Sequence, residues 1–340
     1  MRFPLGDWID DHSECRHHLG SSGMAGTVRH PTPTPAAVRS ARDVDLLRAF
    51  ADLVEVDRSR VFLTHGATEA NAWAVTYLAR RRRGRVPRCR VELPEYPPLF
   101  DVAASAGFRV VPHGGPSDLA ILSQPRNPVG DRWSGSRLAE WADSARATVV
   151  DETFREFTPA RSVQHLDLPG LWTTGSLTKA YGGDDLRVGY IVAPEEEQAE
   201  FARFHGLVTD ELANYSVAGA LATLAARARI LREVRSVVGR NAALWRRANP
   251  EAPALAGPVT FDDPVPPDGD RFARRCLRAS VLVCPGSLFG RASGVRVGLT
   301  RRSFPRDLSV YLRVRDAARN DRSGASPRGG ERRRLDRAAR

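Results

Sequence analysis

The chain has 340 residues, 42% hydrophobic and 27% charged, with a formal net charge of +11. That length suits one larger and one smaller domain; no apolar run approaches the ~18 residues that span a bilayer, and the charged, His-rich start has no signal-peptide core, so a cytoplasmic protein without a membrane partner is expected. The basic excess does not read as a nucleic-acid surface, because Arg319 to Arg340 holds eight arginines against Asp321, Glu331 and Asp336 in a Gly/Ser/Pro/Arg tail expected to be disordered.

Residues 1–40 lack strong periodicity and carry the turn-rich words Leu19-Gly20-Ser21-Ser22-Gly23 and His30-Pro31-Thr32-Pro33-Thr34-Pro35. They are expected to lie extended over the rest of the chain. Cys15, Cys89, Cys276 and Cys284 lack C-x-x-C spacing, and His12, Cys15, His17 and His18 are poorly spaced as ligands, so neither a disulfide framework nor a metal is expected. Val44 to Val54 has helical spacing. Val61 to Thr64 reads as a buried strand running into His65-Gly66-Ala67-Thr68-Glu69-Ala70-Asn71 and a helical stretch from Ala72 to Arg82. A strand, a glycine turn and a fresh helix N-terminus can hold an anion at Gly66, Ala67 and Thr68; the alternative is an ordinary helix capped by Thr68. The run Arg80 to Arg83 with Arg85 falls where that helix would end, at the pole that favours cations.

A strand from Cys89 to Leu93 leads to Pro94-Glu95-Tyr96-Pro97-Pro98. Tyr96, held between prolines at a strand's carboxyl end, could cover a planar ring or be a core tyrosine. A helix over Phe100 to Ala106 and strands over Phe108 to Pro112 and Leu119 to Leu122 follow. Asn127-Pro128-Val129-Gly130 is a turn presenting a side-chain donor. After a helix around Arg137 to Arg146, the strand Thr148-Val149-Val150 delivers Asp151-Glu152. A carboxylate there needs a partner: a cationic ring nitrogen, a salt bridge or a helix end. Leu171 to Thr174 is a strand that delivers Ser176 and Lys179, and Val188 to Val192 is the next. Helices over Glu195 to Leu207 and Asn214 to Val238 lead out of the larger domain. The strand words at 259–261, 281–283 and 295–297, with a helix over Asp270 to Ala279, fit a smaller α+β domain.

Lys179 is the only lysine in the chain; the other 50 of 51 basic residues are arginine. A composition that uses arginine for every generic positive charge has kept lysine where arginine cannot serve. A lysine amine can lose its proton when desolvated and attack a carbonyl, whereas a guanidinium stays protonated. Flanked by Ser176, Thr178 and Arg187, it suggests a Schiff base to an aldehyde cofactor that also carries phosphate.

These words, in this order, resemble the fold type I pyridoxal-phosphate-dependent aminotransferases (class I/II), the histidinol-phosphate aminotransferase-like subgroup above all. The motifs are Gly-Ala-Thr-Glu-Ala-Asn at 66–71, Pro-Glu-Tyr-Pro at 94–97, Asn-Pro-x-Gly at 127–130, Asp-Glu at 151–152, Ser-Leu-Thr-Lys at 176–179 and Arg-Val-Gly-Tyr at 187–190. The resemblance implies an α/β fold: a mostly parallel seven-stranded sheet flanked by helices, plus a smaller α+β domain. It implies a cover segment at 1–40, a large cofactor domain at 41–215, a small domain with its connecting helix at 216–318, and the tail at 319–340. It further implies pyridoxal 5'-phosphate on Lys179, the catalytic amine, with Asp151 on the pyridine nitrogen, Asn127 on the phenolic oxygen and Tyr96 stacked on the ring. Gly66, Ala67, Thr68, Ser176 and Arg187 would hold the phosphate, Arg296 the substrate carboxylate, and Ser21 and Ser22 would line the substrate pocket. A homodimer acting on an amino acid or amino-phosphate and a 2-oxo acid follows from the same family, with nucleic acid not expected as a partner.

One departure is Phe154, where the family often has a tyrosine whose hydroxyl helps hold the phenolic oxygen. The Asp-Glu-x-Phe word is similar to the threonine-phosphate decarboxylase branch, so a decarboxylase or lyase on the same scaffold is the alternative to transamination. A non-catalytic, Arg-rich binding protein on this fold is the third reading.

Overall fold

This computed structural model describes residues 3–81, 85–112, 115–263 and 268–323, with backbone alone over 321–323. The chain opens with α1 (Pro4–Asp11), β1 (His17–His18), α2 (Pro35–Ser40) and α3 (Asp43–Val54). The first 40 residues are therefore not simply extended. Both early helices carry a proline in the first turn, and the Thr34 side chain caps α2 by accepting from Ala37 N at 3.2 Å. Proline suits that turn because its fixed φ is helical and its missing N–H has no partner to lose. Residues 17–24 do run extended. Leu19 N donates to Leu282 O at 2.9 Å, Gly298 N donates to Leu19 O at 2.7 Å, and Met24 N donates to Lys179 O at 2.9 Å.

The main sheet is built from β2 (Val61–Thr64), β3 (Arg88–Val91), β4 (Arg109–Pro112), β5 (Leu119–Ser123), β6 (Thr148–Asp151), β7 (Leu171–Ser176) and β8 (Gly189–Val192). Its seven strands lie in the order β2-β8-β7-β6-β5-β3-β4, with only β8 antiparallel to its neighbours. Helices α4 (Ala67–Arg80), α5 (Pro97–Ser105) and α6 (Gly135–Asp143) connect strands. Helices cover both faces, which is why the strands read as continuous apolar runs. In β6, Val149 packs with Trp172 and Phe201, while Val150 packs with Trp133 and Leu138 on the other side. The expected α/β fold with a mostly parallel sheet is the one found.

Beyond the sheet come α7 (Gln198–Val208), α8 (Asn214–Ala225) and α9 (Arg227–Ala248). The single helix expected over 214–238 is two, broken at Ala226 (φ −89°, ψ 5°). No glycine or proline marks that break. A three-stranded antiparallel sheet follows, β11 (Cys284–Pro285), β12 (Val295–Gly298) and β9 (Val259–Asp262), with α10 (Gly269–Arg278) beside it. The strand expected at 281–283 is shorter: β10 (Val281–Leu282) pairs in parallel with β1 instead.

Helix α11 (Phe304–Ser323) is the element that periodicity did not reveal. Its inner stripe is Phe304, Leu308, Tyr311 and Arg315, all buried. Tyr311 and Arg315 both donate to Asp262 Oδ2, at 2.6 and 3.1 Å. An arginine within the buried stripe breaks the apolar repeat on which helix recognition depends. The tail expected to be disordered from 319 thus begins inside this helix; 324–340 lie outside the described residues, as do Arg82 and Arg83 of the basic run.

Candidate active site

Strands β5 and β6 end level with one another, Ser123 being paired with Asp151, and β7 runs two residues beyond the Thr174 that pairs with Asp151. Their carboxyl ends, with that of β2, open on one cavity of about 190 Å³. Ligands of open α/β sheets bind in such a crevice. Asp151 and Ser176 reach it from the strands, Thr68 from α4, Lys179 and Arg187 from the loop after β7, and Arg296 from β12. Phe3, with Leu5 and Ile9 of helix α1 just after it, closes one side.

Helix α4 starts at Ala67, five residues before the expected start, and its N-cap is Gly66 rather than Thr68. Gly66 has φ 98° and no side chain to cap the helix, so the first-turn N–H groups are left for an anion. Ala67 and Thr68 line the cavity at that turn. A Cβ on Gly66 would stand 3.2 Å from Arg187 Nη2, which also lies 3.4 Å from His65 O. Helix dipole, hydroxyl and guanidinium thus converge on one spot.

Asp151 is 4% exposed. Its Oδ1 accepts from Thr153 N at 2.8 Å and its Oδ2 from Asn71 Nδ2 at 2.7 Å. Asn71 is held in turn by Thr174 Oγ1, which donates to Asn71 Oδ1 at 2.7 Å. Burial raises the carboxyl's pKa, opposed by the Thr153 and Asn71 bonds and the charge of Lys179. Desolvation lowers the Lys179 ammonium below the usual lysine range, and Arg296 and Arg187 add to the lowering against the opposing charges of Asp184 and Asp151. Gly23 packs on its stem, where a Cβ would meet Lys179 Cδ at 3.3 Å. The amine is therefore both walled in and biased toward its neutral, nucleophilic form.

Arg296 is 1% exposed and stacks over Phe289 at 5.0 Å. Its Nη1 donates to Asn127 Oδ1 at 3.1 Å and its Nη2 to Gly20 O at 2.8 Å, while its buried Nε has no partner. A buried guanidinium lining the cavity suits a carboxylate. With Oδ1 taken, Asn127 offers its Nδ2 as donor. Tyr96 also lines the cavity, and burial followed by the Asp151 charge pushes its hydroxyl up to about 12. Phe154 stands in the lining with no hydroxyl to give.

Of the two serines expected near substrate, Ser22 lines the cavity and Ser21 does not. The Ser21 carbonyl fills the space beside Gly298, where a Cβ would lie 1.9 Å from it, and its hydroxyl is 3.4 Å from Gly23 O. That backbone pairing turns its side chain elsewhere. Asn71 and Ser123 line the cavity without having been singled out, and Glu95 lies behind Ser123. Asn71 had a signal: three residues after Thr68, it lies on the same helix face.

The donor set fits pyridoxal phosphate: an anion cradle with no side chain in the way, a buried carboxylate for a ring nitrogen, an amide donor, an aromatic face and a desolvated amine. Among the described residues, no group of three or more His, Cys, Asp or Glu side chains could hold a metal ion.

The sequence profile of the family described as Aminotransferase class I and II matches residues 41–300. An aspartate aminotransferase of Thermococcus kodakarensis is 26% identical over 61% of this chain and 59% of its own length. Capreomycidine synthase of Streptomyces vinaceus is 28% identical over 87% and 89%. A histidinol-phosphate aminotransferase of Halorubrum lacusprofundi is 25% identical over 82% and 85%. An aminotransferase structure from Mycobacterium tuberculosis superposes with a TM-score of 0.79 over 92% of this chain and 95% of that one, a likeness of fold at 19% identity.

Proposed function

This chain belongs to the class I and II aminotransferase family and is a pyridoxal-phosphate-dependent aminotransferase, and from that premise we propose which residues carry the reaction and what it acts on. The observation that carries the reading is the sole lysine in one cavity with Asp151 and the open N-terminus of α4. When bound, pyridoxal phosphate supplies an aldehyde for amines to condense with and a ring that draws electrons from substrate Cα. The Gly66–Thr68 turn, Ser176 and Arg187 would hold its phosphate. Asp151, oriented by Asn71 and Thr153, would keep the ring nitrogen protonated. Asn127 Nδ2 would donate to the phenolic oxygen, and Tyr96 would cover the ring. Arg296 grips the substrate carboxylate in two prongs. Lys179 Nζ, the desolvated amine of the cavity, would carry the aldehyde and, once free, move the substrate Cα proton.

The substrate is an L-amino acid or amino-phosphate, exchanging its amino group with a 2-oxo acid. Among the described lining residues of this chain, Lys179, Arg187 and Arg296 are the only cations, and each already has a task. The side chain faces Phe3, Leu5 and Ile9, an apolar wall. We place the large cofactor unit at 41–215, the smaller one at 216–318 and the cavity cover at 1–40, in a cytoplasmic homodimer; among the described residues no helix is long and apolar enough to cross a membrane.

The test is a screen of amino donors with detection of the 2-oxo product. The wild-type protein is expected to show a cofactor absorbance band that Lys179→Arg lacks. Wild type without that band sinks the reading. Phe154 favours a second reading, cleavage of the carboxylate bond, because its Asp-Glu-x-Phe word is similar to the threonine-phosphate decarboxylase branch. Release of CO₂ without 2-oxo product would select it.

A further inference from the structure

Glu95 is fully buried, at 0% exposure, and makes no ion pair among the described residues. A carboxylate in that position is costly unless its oxygens are satisfied. Its Oε1 accepts from Tyr96 N at 2.6 Å and from Ser123 Oγ at 2.6 Å, and its Oε2 from Ser123 N at 2.8 Å. Ser123 Oγ accepts in turn from Asn127 N at 2.8 Å. The Glu95 N–H donates to Phe289 O at 3.1 Å, and Phe289 is the ring beneath the Arg296 guanidinium. A single carboxylate thus touches the backbone behind Tyr96, reaches Asn127 through one hydroxyl, and is tied to the residue under Arg296. These are the groups assigned to the ring face, the phenolic oxygen and the substrate carboxylate.

We propose that Glu95 is a positioning residue: it locks the Pro94–Pro97 loop to the end of β5 so that Tyr96 and Asn127 meet the cofactor ring in register. It does not touch the ring and takes no part in proton transfer. Glutamine is a poor substitute, because three donors aimed at two oxygens leave its amide facing an N–H or O–H. Burial pushes the Glu95 pKa up to about 7 against those donors, which oppose the rise. The inference rests on the pyridoxal-phosphate reading above.

The experiment compares wild type, Glu95→Gln and Ser123→Ala by three measurements: thermal unfolding, cofactor titration of the apoprotein, and the pH midpoint of the bound cofactor's absorbance change. Glutamine turns its amide toward a backbone N–H, and alanine removes the hydroxyl that joins Glu95 Oε1 to Asn127 N while leaving the two backbone donors in place. Glu95→Gln is expected to raise the cofactor dissociation constant about 10-fold or more and to move the absorbance midpoint by about half a pH unit or more. Ser123→Ala is expected to move both in the same direction by less. Should Glu95→Gln fail to fold, Ser123→Ala carries the test. If unfolding temperature falls while affinity stays within about twofold and the midpoint stays put, Glu95 only supports the fold and the inference is overturned. It is equally overturned if nothing changes. Wild type that takes up no cofactor overturns the functional reading, and the inference with it.

Discussion

Replacing Asn71 by leucine removes the 2.7 Å hydrogen bond to Asp151 Oδ2 and changes little in volume. That bond stabilises the ionised carboxylate. A hydrogen bond to a charged, buried group contributes about 1.5–3 kcal/mol, and about 1.4 kcal/mol is one pKa unit. Deleting it should raise the Asp151 pKa further, in the direction that burial already pushes it. The sign follows from the role: Asp151 must be ionised to hold the ring proton, so activity is lost as pH falls through its pKa. The acid limb of the pH–rate profile should therefore move to higher pH, with the alkaline limb unmoved. Thr174 Oγ1, on a residue at 0% exposure, loses its acceptor at the same time, which costs about 1–3 kcal/mol of stability. The companion Thr174→Val removes that orphan. The double variant should recover part of the lost unfolding temperature while keeping the displaced acid limb. A limb that stays at its wild-type pH in Asn71→Leu, with stability lost, would show that Asn71 merely packs the helix against the sheet.

Three further outcomes are expected. Arg296→Lys keeps a charge but loses the bonds to Asn127 Oδ1 and Gly20 O; KM for the amino donor should rise about 10- to 100-fold with a smaller change in kcat, and an unchanged KM would remove Arg296 from the carboxylate site. Gly189→Ala sets a Cβ 2.6 Å from the Gly66 carbonyl carbon and 2.8 Å from Gly175 O, both immobile backbone; stability should fall by about 1–3 kcal/mol, with weaker cofactor affinity because the phosphate turn shifts. Unfolding temperature and apoprotein titration check both halves. Glu95, raised from 4.5 to about 7, binds its proton more tightly when folded. Its penalty is absent below pH ~4.5, grows to about 3 kcal/mol as pH climbs to ~7, and so lowers apoprotein stability across that window. Glu95→Gln should flatten that segment of the stability–pH curve, and an identical slope would refute the assignment.

Most of the site could be read from the chain because its chemistry lies in short words at strand ends. A lone lysine in an arginine-only composition, a Gly-Ala-Thr turn after a buried strand and a carboxylate closing an apolar run each carry their physical reason locally. The parallel sheet was legible for the same cause: strands buried on both faces leave unbroken apolar runs between helical stretches. What the sequence left undecided depends on partners far along the chain. Nothing near Ser21 says that its carbonyl, not its hydroxyl, serves the fold, since that is set by Gly298 having no side chain. Helix α11 was hidden because its buried arginine makes sense only once Asp262 faces it from β9. Glu95 reads as an ordinary charged residue of a turn until Ser123 and Phe289 close around it. Local patterns fix secondary structure and reactive groups; burial of a charge is decided by which distant donors the tertiary fold brings to it.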